Sequence, residues 1–130
     1  MEGKIVILIF GGAYNGKLEF VKKKYELLQD EIFFCNDENL RYDKKVICGL
    51  HLFTRNCILK DINPLEILQN NIERLKDKII ICDEIGSGIV PMEKLDRQWR
   101  EDTGKVLQFL SKHSYSVSRI FFGLEESLKN

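Results

Sequence analysis

The stretch Lys4-Ile5-Val6-Ile7-Leu8-Ile9-Phe10-Gly11-Gly12-Ala13-Tyr14-Asn15-Gly16-Lys17-Leu18 decides the fold. From Ile5 to Phe10 every residue is apolar, so both faces of an extended segment want burial. A strand meets that need only inside a sheet covered on each side, as parallel sheets are. Gly11-Gly12 stops the run. Leu18, Val21, Tyr25 and Leu28 then recur at helical spacing among Lys22, Lys23, Lys24 and Glu26, which predicts an amphipathic helix. The order is strand, glycine turn, helix.

The rest of the chain repeats this alternation. Ile32-Phe33-Phe34-Cys35 is a short apolar segment, Val46 to Leu50 reads as a strand, and Lys78 to Cys82 as another buried strand. Between the last two, Asn63 is a good N-cap, Pro64 suits the first helical position and Glu66 follows three residues after the cap. Leu65, Leu68, Ile72 and Leu75 would form the buried stripe of that helix. A long helix from Glu93 to His113 would bury Leu95, Trp99, Val106 and Leu110, and Val117 to Phe122 is read as the last strand. Strands alternating with helices imply right-handed crossovers and an α/β fold with a mostly parallel sheet flanked by helices. Ligands of such sheets bind beyond the carboxyl ends of the strands, the edge that holds Gly11 to Lys17 and Asp83 to Gly88.

With 130 residues and no repeat or linker, the chain is expected to be one domain, residues 1–130. Lys plus Arg number 20 and Asp plus Glu number 20. That balance removes the broad electrostatic attraction on which non-specific nucleic-acid or anionic-membrane binding depends, so neither partner is expected. No apolar run is long enough to span a bilayer and no signal-peptide pattern is present, which points to the cytoplasm. Cys35, Cys48, Cys57 and Cys82 contain no C-x-x-C pair and read as buried free thiols. His51 and His113 are the only histidines. The first, among apolar neighbours, reads as tucked in or at an edge, and the second closes the long helix, where the helix dipole favours it.

Gly11-Gly12-Ala13-Tyr14-Asn15-Gly16-Lys17-Leu18 fits G-x-x-x-x-G-K, but the Ser or Thr that completes the pattern is replaced by Leu18. Backbone N–H groups of such a loop surround phosphate oxygens at a helix N-terminus, and Lys17 would neutralise the outer phosphates. A glycine turn without a ligand is the competing reading. The placement between an all-apolar strand and an amphipathic helix favours phosphate binding. Asp83 and Glu84 end a buried strand, where a nucleotide-hydrolysing domain holds a metal-orienting carboxylate or a base, though solvated or capping carboxylates are also common there. The two are expected to face the same pocket. Arg97 and Arg100, with Glu101 one turn from Arg97, read as a solvated, ion-paired helix face.

Two stretches carry a family resemblance. Asp83-Glu84-Ile85-Gly86-Ser87-Gly88-Ile89-Val90-Pro91, followed by Arg97, Trp99, Arg100, Glu101, Gly104, Leu107 and Gln108, resembles the Asn-Glu-Val-Gly-x-Gly-Ile-Val-Pro and R-x-F-R-D-x-x-G-x-x-N-Q patterns of the adenosylcobinamide kinase/adenosylcobinamide-phosphate guanylyltransferase family. Gly11 to Leu18 is similar to its Gly-Gly-Ala-Arg-Ser-Gly-Lys-Ser. The stretch Cys48-Gly49-Leu50-His51-Leu52-Phe53, then Asn56, looks like Asp-Cys-Leu-Thr-Leu-Trp followed by Asn. The resemblance implies a P-loop NTPase-like fold, a role in cobalamin biosynthesis, a purine nucleotide (ATP or GTP) and a corrinoid as ligands, Mg²⁺ as the metal, and homotrimers. On it, Gly11, Gly12, Ala13, Tyr14, Asn15, Gly16, Lys17 and Leu18 would hold the nucleotide, while Lys17, Asp83 and Glu84 would serve the chemistry. The oxygens it expects at positions 18 and 48 are absent. The segment that supplies the guanylylated histidine is reduced here to a short polar connection without a histidine. A diverged member is therefore expected, with phosphoryl transfer weak or lost and guanylyl transfer absent. The alternatives are a non-catalytic interaction or regulatory subunit and a kinase of another small molecule.

Overall fold

The computed structural model describes residues 5–12, 16–85 and 93–129. Ala13, Tyr14 and Asn15 of the glycine loop and Gly86 to Pro91 of the second motif lie outside the described residues. The described chain runs β1 (Ile5–Gly11), α1 (Lys17–Tyr25), β2 (Ile32–Phe34), β3 (Val46–Cys48), α2 (Leu50–Leu59), α3 (Pro64–Asn70), β4 (Ile79–Asp83), α4 (Lys94–Lys112), β5 (Ser114–Phe121) and β6 (Leu124–Lys129). Six strands form one sheet in the order β2-β3-β4-β1-β5-β6, parallel except for the antiparallel β5–β6 pair. This is the expected P-loop NTPase-like α/β architecture.

Strand alternation divides the core. Leu8, Ile47, Ile80, Cys82 and Val117 bury on the side covered by α2, α3 and α4, with Phe53, Leu68 and Leu110 of those helices. Ile7, Ile9, Val46, Ile79, Ile81 and Ile120 bury on the other side against Val21 of α1. The all-apolar β1 thus lies between β4 and β5 at the middle of the sheet, as its composition predicts.

Several elements depart from the sequence reading, beginning with α1, which ends at Tyr25 and leaves Leu28 exposed. The strand read as Val46 to Leu50 stops at Cys48, because Gly49 adopts φ 83 and turns the chain into α2. That helix, absent from the sequence reading, buries Leu50, Phe53, Thr54 and Cys57, a clear i, i+3, i+4, i+7 stripe. The helix begun at Asn63 does have its cap, with Leu65 N–H donating to Asn63 Oδ1 at 3.0 Å. It ends at Asn70, and Ile72–Leu75 is a separate 3-10 turn. Asn71 interrupts it by donating from its side chain to the Ile67 carbonyl at 2.7 Å. In α4, Val106 and Leu110 are buried as expected, whereas Leu95 and Trp99 are only half-buried and Thr103 takes a core position.

At the end of the chain, β5 begins at Ser114, three residues earlier than Val117. The buried serines there are satisfied, Ser114 by the Leu110 carbonyl at 2.7 Å and Ser118 by Glu125 at 2.6 Å. A further strand, β6, follows a two-residue turn in which Phe122 and Gly123 both have positive φ, 51 and 76. Positive φ at both central positions is the hairpin geometry that matches strand twist. Of the four cysteines, all free, Cys35, Cys57 and Cys82 are buried as expected while Cys48 is half-buried. No helix among the described residues is long and apolar enough to cross a membrane.

Candidate functional site

Three parallel strands end side by side, β3 at Cys48, β4 at Asp83 and β1 at Gly11, which pairs with Asp83 in register. Their carboxyl ends and the start of α1 enclose a cavity of about 250 Å³ lined by Gly16, Lys17, Leu18, Cys48, His51 and Asp83, among others. Gly11 must be glycine here. Its φ is 153, and a Cβ would collide with the Ile120 carbonyl oxygen of the neighbouring strand. Gly16, the N-cap of α1, has φ 80 and delivers Lys17 into the first helical turn.

Lys17 is 6% exposed, and its ammonium meets two partners within the protein. It lies 2.6 Å from Asp83 Oδ1 and donates to the Gly12 carbonyl at 2.8 Å. Asp83 is in turn gripped by His51, whose Nε2 is 3.3 Å from Asp83 Oδ2 while its Nδ1 accepts from Asp83 N–H at 3.1 Å. One neutral tautomer satisfies both contacts, with the proton on Nε2. Burial pushes the His51 pKa down and Lys17 pushes the same way, while Asp83 opposes them, so neutrality is favoured. Cys48 stays a thiol, its pKa pushed up to about 11 by burial and by the Asp83 charge, with Lys17 opposing.

His51 is placed by α2. The left-handed turn at Gly49 sets it in the first turn of that helix, and its backbone carbonyl accepts from Trp99 Nε1 at 2.9 Å. Trp99 also donates to Thr54 at 3.1 Å, and the Thr54 and Thr103 hydroxyls lie 2.7 Å apart, so α4 steadies the turn that carries the histidine.

The structure brings Lys17, Leu18 and Asp83 into one cavity and sends Glu84 elsewhere. Glu84 N–H still donates to the Gly11 carbonyl at 2.7 Å. Its carboxylate, however, pairs with Arg119 at 2.9 Å and lines a separate cavity of about 370 Å³ with Arg100, Thr103 and Gly104 of α4. The expectation of one shared pocket is thereby corrected, since adjacent residues leaving a strand face opposite sides. Arg97 and Arg100 are both exposed, and Arg100 also lines that second cavity. His51 is the site residue that the sequence reading placed in a structural role. The signal that could have found it is the helical spacing of Leu50, Phe53 and Cys57, which puts a residue at 51 in a first turn beside the strand ends.

The protein-family model for cobinamide kinase / cobinamide phosphate guanyltransferase matches residues 39–128. The chain belongs to that family. The match takes in Cys48, His51, Asp83, Glu84 and all of α4, whereas the loop Gly11 to Leu18 precedes it. Among curated proteins, none matches the chain. A cobinamide kinase/guanylyltransferase-like role in cobalamin biosynthesis follows from membership, as do nucleotide and corrinoid as the substrate classes of the family.

Proposed function

We propose that this chain is a purine-nucleotide-binding member of the family in which phosphoryl transfer is weakened or lost and guanylyl transfer is absent. The observation that carries the reading is Lys17 inside the cavity at the strand ends, with Leu18 and Cys48 beside it. Backbone N–H groups of a glycine loop at the start of α1 and the Lys17 ammonium suit the phosphates of ATP or GTP. A phosphate has to take Lys17 from Asp83, which then keeps its contact with His51.

Magnesium prefers near-octahedral oxygen coordination. At the two positions where the resemblance expects oxygen ligands, the cavity presents an isobutyl group and a protonated thiol. These side chains do not fit the ion, and no step is assigned to it. His51 stands beside Asp83, with Nδ1 accepting from Asp83 N–H and Nε2 3.3 Å from Oδ2, an arrangement that suits a positioning role rather than a guanylylated nucleophile.

Calorimetric titration of ATP and GTP, each with Mg²⁺ and with EDTA, tests the reading. Binding that changes little with Mg²⁺ is expected, and Leu18→Ser should introduce a Mg²⁺ dependence. A ligand at a hundred times its Kd should add about 2.7 kcal/mol of stability, so a thermal-shift screen that includes cobinamide reports the same events. Strong Mg²⁺ dependence in the wild type would instead favour a kinase that uses Asp83. No binding at millimolar nucleotide would favour an interaction subunit retaining the fold, a reading that draws on the Lys17–Asp83 contact, which satisfies the lysine without any phosphate.

A further inference from the structure

On the other side of the sheet, the C-terminal half of α4 and strands β1, β5 and β6 enclose a cavity of about 510 Å³. Its floor is Leu8 and Val117, which are 1% and 5% exposed, so the cavity reaches down to the core. Phe10, Leu107 and Leu128 complete an apolar interior, and Gln108, Ser111, Lys112 and Lys129 add the polar groups. The volume lies within the roughly 300–1,000 Å³ of small-molecule sites, which share this make-up of apolar walls and a few polar groups. Neither Lys17 nor Asp83 borders it, so it is separate from the cavity at the strand ends.

The wall contributed by β6 is built by an irregularity. Val117 pairs with Lys129 and Ser118 with Ser127, which leaves Leu128 as an extra residue in β6. Side chains alternate along a regular strand, yet Leu128 and Lys129 both line the cavity. A β-bulge redirects side chains in this way, and bulges are frequent at sheet edges and beside functional sites. Lys129 is fixed in place by donating from Nζ to the Ser111 carbonyl at 3.0 Å, and Lys112 is the last residue of α4. A helix C-terminus carries about half a negative charge, which two lysines more than offset. The described residues lining the cavity include no carboxylate, so its lysine end is electropositive.

We propose that this cavity binds an aliphatic carboxylate, with its chain laid on Leu8, Leu107, Val117 and Leu128 and its charged head at Lys112 and Lys129. All the apolar walls except Phe10 are aliphatic, which suits a flexible chain better than a flat ring. The free acid is the occupant rather than a lipid bilayer, because a cavity of this volume encloses a single chain whereas a bilayer meets a protein over a broad surface. The site stands or falls independently of the nucleotide reading.

Calorimetry and methyl NMR on the whole chain test the site. Decanoate, kept below its micelle concentration, should bind saturably and shift the methyl signals of Leu8, Leu107, Val117 and Leu128. Affinity should rise from hexanoate to decanoate by about fourfold for each methylene buried. Decanol keeps the chain without the charge and should bind about tenfold more weakly, and Lys129→Met should weaken decanoate by a similar factor while leaving decanol unchanged. Lys129 also ties β6 to α4, so Lys112→Met repeats the charge test if Lys129→Met fails to fold. Ser111→Phe places a ring in the cavity from a half-buried position and should remove binding of both ligands. Decanoate that does not saturate at millimolar concentration, decanol that binds equally well, or decanoate affinity unchanged in the folded variants overturns the proposal. Binding to anionic vesicles with none to the monomeric acid also overturns it, in favour of a membrane contact.

Discussion

Asp83 and Glu84 are consecutive acids at the end of one strand, yet they serve two regions with different physics. Asp83 faces the α1 side, where it holds a lysine that is 6% exposed and a half-buried histidine. Glu84 faces α4, where it pairs with an arginine whose side chain is 44% exposed. The same residue chemistry carries different weight on the two sides, because a charge removed from water depends on its partner and a solvated one does not. In this fold, the side of the sheet determines what a carboxylate can do.

The largest effect is expected at the seam between the regions. Gly11 pairs with Asp83, accepts from Glu84 N–H and has no room for a Cβ, so Gly11→Ala should disturb both sides and cost about 3 kcal/mol in urea unfolding. Next comes Asp83→Asn, which leaves the Lys17 ammonium buried without its counter-charge and should cost about 2 kcal/mol. The same substitution frees Lys17 from an ionic competitor, so nucleotide affinity should hold or rise while stability falls. A variant that lost neither stability nor its nucleotide-free Lys17 position would break the contrast.

His51 supplies a pH-dependent test of the Asp83 side. Its folded-state pKa lies below the unfolded value, so the unfolded chain takes up the proton first as pH falls. Stability contributed by neutral His51 is complete above the unfolded pKa, near 6.5, and declines as pH drops from there through the folded value. Unfolding measured from pH 7.5 to 5 should show this decline in wild type and a shallower one in His51→Gln. The smallest effect is expected for Glu84→Gln, which breaks a pair whose arginine is 44% exposed and should change stability by about 0.5 kcal/mol or less. Equal losses for Asp83→Asn and Glu84→Gln would show that burial does not separate the two regions.

How much of this was legible in the sequence follows the same physics. β1 and β4 announced themselves because a strand buried on both faces is apolar throughout, and α3 because Asn63, Pro64 and Glu66 place its cap signals within four residues. Lys17 and Asp83 were legible as site residues because each directly follows a strand end or glycine turn. The separation of Glu84 was implicit in the two-residue strand period. α2 was hidden because Val46 to Leu50 is apolar and one glycine conformation decides where the strand stops. With α2 went His51. β6 was hidden for the opposite reason, since Leu124-Glu125-Glu126-Ser127-Leu128-Lys129 is exposed almost throughout and has no buried face to betray it.

The strand order also sets a schedule for folding. β1 comes first in the described chain, yet its two sheet neighbours are β4 and β5, the latter ending at Phe121. Until β4 and β5 are made, the backbone of Ile7, Leu8 and Ile9 lacks its strand partners, and Leu8 lacks the cover of α2, α3 and α4. Such long-range parallel pairing is slow, because the intervening loop must close before any contact rewards it. A nascent or partly unfolded chain therefore displays an apolar, unpaired β segment as its most conspicuous feature, making β1 the expected chaperone contact and the first place where copies of the chain would aggregate.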